Sequence, residues 1–348
     1  LLNAQHNFSW LTGGGSNGID LSRENGAASL LITRSGERHV LASTIEIKRM
    51  LAEEVFGDDF DPIDFSWQDE KANSGIVIEK AKFVLETGAK LATDLLNDGT
   101  TPSIESKIAS CRYELTPEEV ERYKQLGKDA GAAARSVIER VAPGESEIEV
   151  AAKFRNELAE HNINSVVTLV AADERIDRFR HPVPTDNRWR KTLMIVTCAR
   201  RGGLIASLSR LISVGEVSGE LRHKTEAAAF VNAKLLAATR PGAVGSELYR
   251  VASDAYAENG FPNEINLHHQ GGAIGYRTRE WVAHPKSEEV VKMNQAFAWN
   301  PSITGTKVEE TVIVTKSGVE TITTSPDFPV ITTSVDGHEY QSPGILNI

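Results

Sequence analysis

Three short segments concentrate side chains able to carry protons or charge within otherwise apolar sequence. They are Phe179-Arg180-His181-Pro182-Val183-Pro184-Thr185, Leu267-His268-His269-Gln270-Gly271-Gly272 with Ala273-Ile274-Gly275-Tyr276-Arg277-Thr278-Arg279-Glu280-Trp281 behind it, and Trp299-Asn300-Pro301-Ser302 through Lys307-Val308-Glu309-Glu310-Thr311. Imidazole titrates near neutral pH and suits general acid/base work. His181, beside a proline, reads either that way or as a loop histidine bonded to backbone. His268 and His269, taken as strand neighbours, point to opposite faces and cannot readily chelate one ion together. Arg277 and Arg279 alternate toward one face, which suits a carboxylate clamp or an ion-paired edge. The Gly271-Gly272 pair is accounted for by a tight bend or a close chain approach. Trp281 and Trp299 read as packing before ligand stacking. Gly13-Gly14-Gly15 is no phosphate loop, because no Lys-Ser/Thr follows.

These groups need a scaffold, and its outline is readable. Ala28–Thr33 and Arg38–Ala42 form a hairpin around Arg34-Ser35-Gly36-Glu37. Helical stretches follow at 45–55 and 75–97, the second stopped by Asn97-Asp98-Gly99. Residues 1–115 thus make a small α/β domain. Thr116-Pro117-Glu118-Glu119 combines a capping hydroxyl, a first-turn proline and a glutamate, so a helix and a second domain, 116–348, begin there. That helix ends at Pro143-Gly144, and a second capping box, Ser146 to Glu149, starts another that reaches Asn162.

Strands are expected at 166–171, 192–198 and 204–214. The order then recurs: helices at 219–238 and 246–259 around Pro241-Gly242, and strands near 265–275, 296–300, 307–315 and 319–323. An ααββ unit used twice makes this an α+β chain whose two similar halves pack their strands into one helix-covered sheet.

The third segment carries a resemblance along essentially the whole chain. Its Asn300-Pro301-Ser302 and Glu309-Glu310-Thr311-Val312-Ile313-Val314 resemble the EPG turn and EDT strand of the creatinase, aminopeptidase P and prolidase superfamily, the pita-bread peptidases. Gly271–Gly275 resembles the family's GHGIG turn, and Arg279-Glu280 its following His-Glu. The resemblance implies a small N-terminal creatinase-like domain and a pita-bread domain with duplicated halves.

In family metallopeptidases two aspartates, a histidine and two glutamates hold two metal ions. Those positions fall here on Thr197, Ser207, Gly272, Asn300 and Glu309, so one strong ligand of five remains. The expectation is no metal and no cofactor. His181-Pro182-Val183 stands 16 residues before Thr197, as a similar run does in creatinase, which hydrolyses without metal. The resemblance therefore implies a metal-independent hydrolase of a C–N bond in a small polar, carboxylated substrate. His181, Glu309 and Glu280 are its catalytic candidates, and His268, His269, Gln270, Arg277, Arg279, Asn300 and Arg210 its binding candidates. Asn300 stands where creatinase has a glutamate, so substrate and detailed mechanism do not transfer. The alternatives are a non-catalytic pita-bread module that binds peptide or protein, and an Xaa-Pro aminopeptidase or dipeptidase. Asn7–Gly15 resembles the family's early strand and loop, and a homodimer is implied.

Bulk properties narrow the partners. A net charge of -10 disfavours nucleic acid and anionic membrane, which call for a basic face. Cys111 and Cys198 lack metal-finger spacing and read as free thiols. No apolar run approaches membrane-helix length and no signal-like segment opens the chain, so a cytoplasmic setting is expected. The start at Leu1 without methionine reads as a fragment or a trimmed chain.

Overall fold

The computed structural model describes residues 1–55, 59–96 and 98–348, so the expected helix stop at Asn97 lies outside the described residues. The chain divides into two compact units, Leu1–Arg112 and Tyr113–Ile348.

In the first unit the hairpin forms, with Asn25–Ile32 antiparallel to Arg38–Ser43 and Ala28 opposite Ala42. Leu2–Ala4 and Asp61–Phe65 extend it to four strands. Alternation divides its apolar residues between two cores, as a pleated strand requires. Leu30 and Val40 pack with Phe8 and Met50, while Leu31 and Leu41 pack with Ile78 and Ala81. Two expectations change here. Gln5–Leu11 is a helix, where the resemblance suggested a strand. The second helical stretch is confined to Ile76–Val84, because Leu85 turns extended.

The second unit opens with helices Pro117–Ile138 and Glu147–Glu160. Each has the capping box read from sequence: Thr116 and Ser146 accept from the backbone N–H of Glu119 and Glu149, whose carboxylates accept in return. Such caps contribute about 1 kcal/mol each. Strands Asn164–Ala172, Thr192–Arg201 and Leu204–Ser213 follow, antiparallel in sequence order. The second half repeats the order with helices Gly219–Ala238 and Gly245–Glu258.

Its strands do not join the first sheet as expected. They form a separate five-stranded sheet in the order Gly318–Thr321, Glu310–Thr315, Ala296–Trp299, Gly271–Ile274, Trp281–Val282. The two sheets meet along a seam where Ile205 N–H donates to Gly275 O (2.8 Å), Ser209 N–H to Glu309 O (3.1 Å) and Ser207 N–H to the Thr311 hydroxyl (2.7 Å). Trp281 and Trp299 pack against Phe297, each at 5.4 Å between ring centroids, inside the second-half core.

The expected strand at 265–275 is reduced to Gly271–Ile274, preceded by a short helical turn, Glu264–Asn266. The strand at 307–315 is interrupted: Thr306–Lys307 ends before Glu310–Thr315 begins, leaving Val308 and Glu309 between them. A closing hairpin, Val330–Val335 with His338–Pro343, turns on Asp336-Gly337, both at positive φ, the turn chemistry that Asp-Gly favours. Among the described residues no helix is long and apolar enough to cross a membrane.

Candidate functional site

His181 lies in the loop after the short helix Glu174–Arg178. A fully buried carboxylate holds that loop at both ends. Glu147 accepts from Ala172 N–H (2.9 Å), Thr185 N–H (2.9 Å) and the Thr185 hydroxyl (2.8 Å), and pairs with Arg175. Arg180 then pairs with Glu264, in the turn just ahead of His268, and donates to the Thr304 hydroxyl at 3.0 Å. One ion pair thereby seats the first polar segment on the second.

The result is three imidazoles together. His181 Nε2 and His268 Nε2 are 3.1 Å apart. The rings of His268 and His269 stack at 4.4 Å with 27° between planes. One ring nitrogen from each of the three lies within 4.8 Å of the others. This overturns the expectation that His268 and His269 face apart. They lie in the turn before Gly271, and the two-residue alternation of side chains belongs only to extended backbone.

Charge surrounds the cluster. Arg279 Nη2 and Lys307 Nζ each lie 3.5 Å from a different oxygen of the buried Glu309. Lys307 was not among the sequence candidates, although its i,i+2 spacing from Glu309 in apolar sequence was the available signal. Burial first, then Lys307 and the other two rings, pushes His268 down to about 2. His181 is lowered by burial and by Lys307, against Glu309. His269 keeps an edge open to solvent, yet is lowered by desolvation of the remainder and by Arg279 and Lys307. Each of these shifts favours the neutral ring.

The neighbouring hairpin corrects one sequence placement. Thr197 pairs with Leu208 and bonds to the Ser165 hydroxyl at 2.9 Å, while Cys198 pairs with Ser207 on the other face. The Ser207 hydroxyl donates to Cys198 Sγ at 3.2 Å. Burial and then the charge of Glu309 raise the Cys198 thiol.

The residues present do not fit a pair of hard divalent ions. Glu309 already faces two cations, Asn300 offers a neutral amide, and the neighbouring Cys198 and Ser207 offer a thiol and a hydroxyl rather than anionic oxygens. A Cβ on Gly272 would come within 2.2 Å of Trp281 O, so the strand has no room for a ligating side chain.

The other candidates divide. Asn300 adjoins the cluster through its N–H, which donates to Gln270 O at 3.0 Å, and its Oδ1 is buried without a hydrogen-bond partner among the described residues. Gln270 itself is tied into the scaffold, accepting from Tyr256 Oη at 2.5 Å and donating to His268 O. Glu280 accepts from Tyr276 N–H at 3.2 Å and bears electrostatically on Tyr123. Arg277 lies in the turn between strands, where the expected strand alternation with Arg279 does not apply. Arg210 is on the strand face opposite Ser207 and Ser209, buried against Glu310 at 2.9 Å, Ser325 and Thr323, and so serves the scaffold.

Comparison with known proteins agrees with this architecture. The chain is 24% identical over 230 residues to an Xaa-Pro dipeptidase of Pyrococcus furiosus, covering 63% of this chain and 66% of that protein, just under two thirds of its length. An Xaa-Pro dipeptidase of Lactobacillus helveticus is 24% identical over 266 residues, 73% of this chain and 72% of that one. Among solved structures, the prolidase from Pyrococcus furiosus superposes with a TM-score of 0.76 at 20% identity, covering 93% of this chain and 95% of that one. The N-terminal domain of a FACT complex subunit from Cicer arietinum gives 0.68 at 14% identity, covering 87% and 85%. The fold is thus an N-terminal α/β domain with a pita-bread domain. A model of metallopeptidase family M24 matches residues 121–316, more than half of the chain, and the chain belongs to that family.

Proposed function

We propose that this M24 hydrolase cleaves the amide C–N bond of a small, dipeptide-like substrate that carries a free carboxylate. The observation that carries this reading is the positive charge beside the paired imidazoles. The groups bearing on the three rings are Lys307, Arg279 and Arg180 against Glu309. Arg180 is already matched by Glu264. Arg279 Nε, a donor, and Glu309 Oε2, an acceptor that suits a water, are buried without hydrogen-bond partners among the described residues. A substrate carboxylate would offset the excess charge and occupy a donor that is costly to leave unpaired. The Xaa-Pro dipeptidase relatives point to the same substrate class.

His181, the more exposed of the paired imidazoles, is the acid/base, with His268 3.1 Å behind it to fix its tautomer. Water oriented by Glu309 adds to the carbonyl carbon and gives a proton to His181. The C–N bond then breaks with its electron pair leaving on nitrogen, which takes the proton back from His181.

The test is a panel of dipeptides, Xaa-Pro members included, each with a free or amidated C-terminus, alongside a carboxylated amidine. Turnover should require the free carboxylate, and His181→Ala should lower kcat by about 10²–10⁴-fold. Equal turnover of amidated substrates would remove the carboxylate clamp. A second reading, a peptide-binding module without catalysis, is favoured by the neutral Asn300. Saturable dipeptide binding with no turnover of any panel member would establish it.

A further inference from the structure

We infer that the three imidazoles of His181, His268 and His269 form a mononuclear site for a borderline divalent ion such as Zn²⁺, separate in position and ligand type from a carboxylate-based dinuclear centre. One nitrogen of each ring lies within 4.8 Å of the others. A tetrahedral zinc with about 2.0–2.1 Å bonds needs its nitrogens about 3.4 Å apart. The Nε2 atoms of His181 and His268, 3.1 Å apart, are already near that spacing. His269 completes the set by a small rotation, for which its solvent-open edge leaves room. The backbone keeps the rings in place: the Glu147 and Arg180–Glu264 contacts fix one segment, and Gln270, donating to His268 O, fixes the other. His268 Nδ1 is buried with no hydrogen-bond partner among the described residues.

Ligand type selects the ion. Three neutral nitrogens suit zinc or cobalt, whereas manganese and magnesium favour oxygen. The fourth position is left to water or an anion. Lys307, Arg279 and Arg180 oppose a dication and Glu309 favours it, so the site takes its ion together with an anionic fourth ligand. Occupancy through Nε2 leaves the His181 proton on the other ring nitrogen, so no lone pair remains to act as a base. Ion binding and the proposed hydrolysis therefore exclude one another, and zinc becomes an inhibitor of the reaction.

The experiment titrates the chelator-stripped full chain with Co²⁺ and Zn²⁺ without substrate, reading cobalt absorption, stoichiometry and melting temperature. One ion per chain with a tetrahedral cobalt spectrum and a concentration-dependent rise in melting temperature is expected. His269→Ala, at an exposed position that need not disturb folding, should weaken binding by about 100-fold, and His181→Gln likewise. Lys307→Met should tighten binding by about tenfold by removing an opposing charge. No cobalt spectrum overturns the proposal. So does affinity unchanged in His269→Ala, or two ions per chain bound without regard to the histidines. Because these readouts use no substrate, a protein that binds one cobalt without hydrolysing any dipeptide refutes only the hydrolase reading.

Discussion

Replacing Glu147 by Gln tests how the loop carrying His181 is held. The carboxylate is fully buried and divides its partners: Oε1 accepts from Ala172 N–H, and Oε2 accepts from Thr185 N–H, the Thr185 hydroxyl and Arg175. An amide has one acceptor oxygen, so either orientation aims NH₂ at a donor and leaves Arg175 without a counter-charge. Removing one partner of a buried pair costs about 3–5 kcal/mol, and a lost hydrogen bond to a charged group about 1.5–3 kcal/mol. The amide's size and surviving bonds offset part of this, so Glu147→Gln should lose about 2–4 kcal/mol. Urea unfolding followed by circular dichroism measures it as a lower midpoint at unchanged slope. Limited proteolysis should find new cleavage between 178 and 184, and cobalt affinity should fall because His181 is no longer presented to His268. A loss below about 1 kcal/mol would refute the account of the staple. Full stability loss with unaltered cobalt affinity would refute its connection to the site.

Other perturbations test the scaffold. Gly272→Ala places a Cβ 2.2 Å from Trp281 O and should cost at least about 2 kcal/mol by thermal unfolding, whereas near-native stability would mean the strand has slack that the packing denies. Arg210→Met strands buried Glu310 and should cost about 3–5 kcal/mol, much of it recovered by adding Glu310→Gln; no recovery would show the pair is not the source. In the first unit, burial pushes the Glu105 carboxyl up, but hydrogen bonds from His6 and Asn7 and the charge of Arg112 outweigh it and leave the pKa at about 2. A folded pKa below the unfolded one contributes stability that is present above the ordinary carboxyl range and is lost as pH falls toward 2. Glu105→Gln should therefore destabilise the protein near neutral pH, with the gap from wild type closing between about pH 5 and 2 in acid titration of unfolding. A pH-independent gap would remove the electrostatic explanation.

Much of the scaffold was legible because local chemistry dictates it. Thr116…Glu119 and Ser146…Glu149 are complete capping instructions within four residues, and the helix starts obey them. The resemblance located the three polar segments, and His181, Glu309 and Arg279 lie close enough to act on one another's charge. What failed was face. A one-residue slip in a strand moves a side chain through the sheet, so Thr197 was read where Cys198 stands. His268 and His269 were judged by strand periodicity in a segment that turns. Lys307 was passed over because an i,i+2 spacing from Glu309 is a weak sign that a strand is buried. The closing hairpin at Asp336-Gly337 carried a turn signal that went unused.

The Arg180–Glu264 pair has a consequence for how the protein folds. Its partners are 84 residues apart in sequence, and the paired imidazoles 87. Closing a flexible loop of that length costs about 4 kcal/mol of chain entropy before any contact offsets it. The helices and hairpins of each half close far shorter loops, so they form first and the imidazoles meet last. During refolding, recovery of cobalt absorption should lag recovery of secondary structure. A chain stalled between those events would have both halves built and no site.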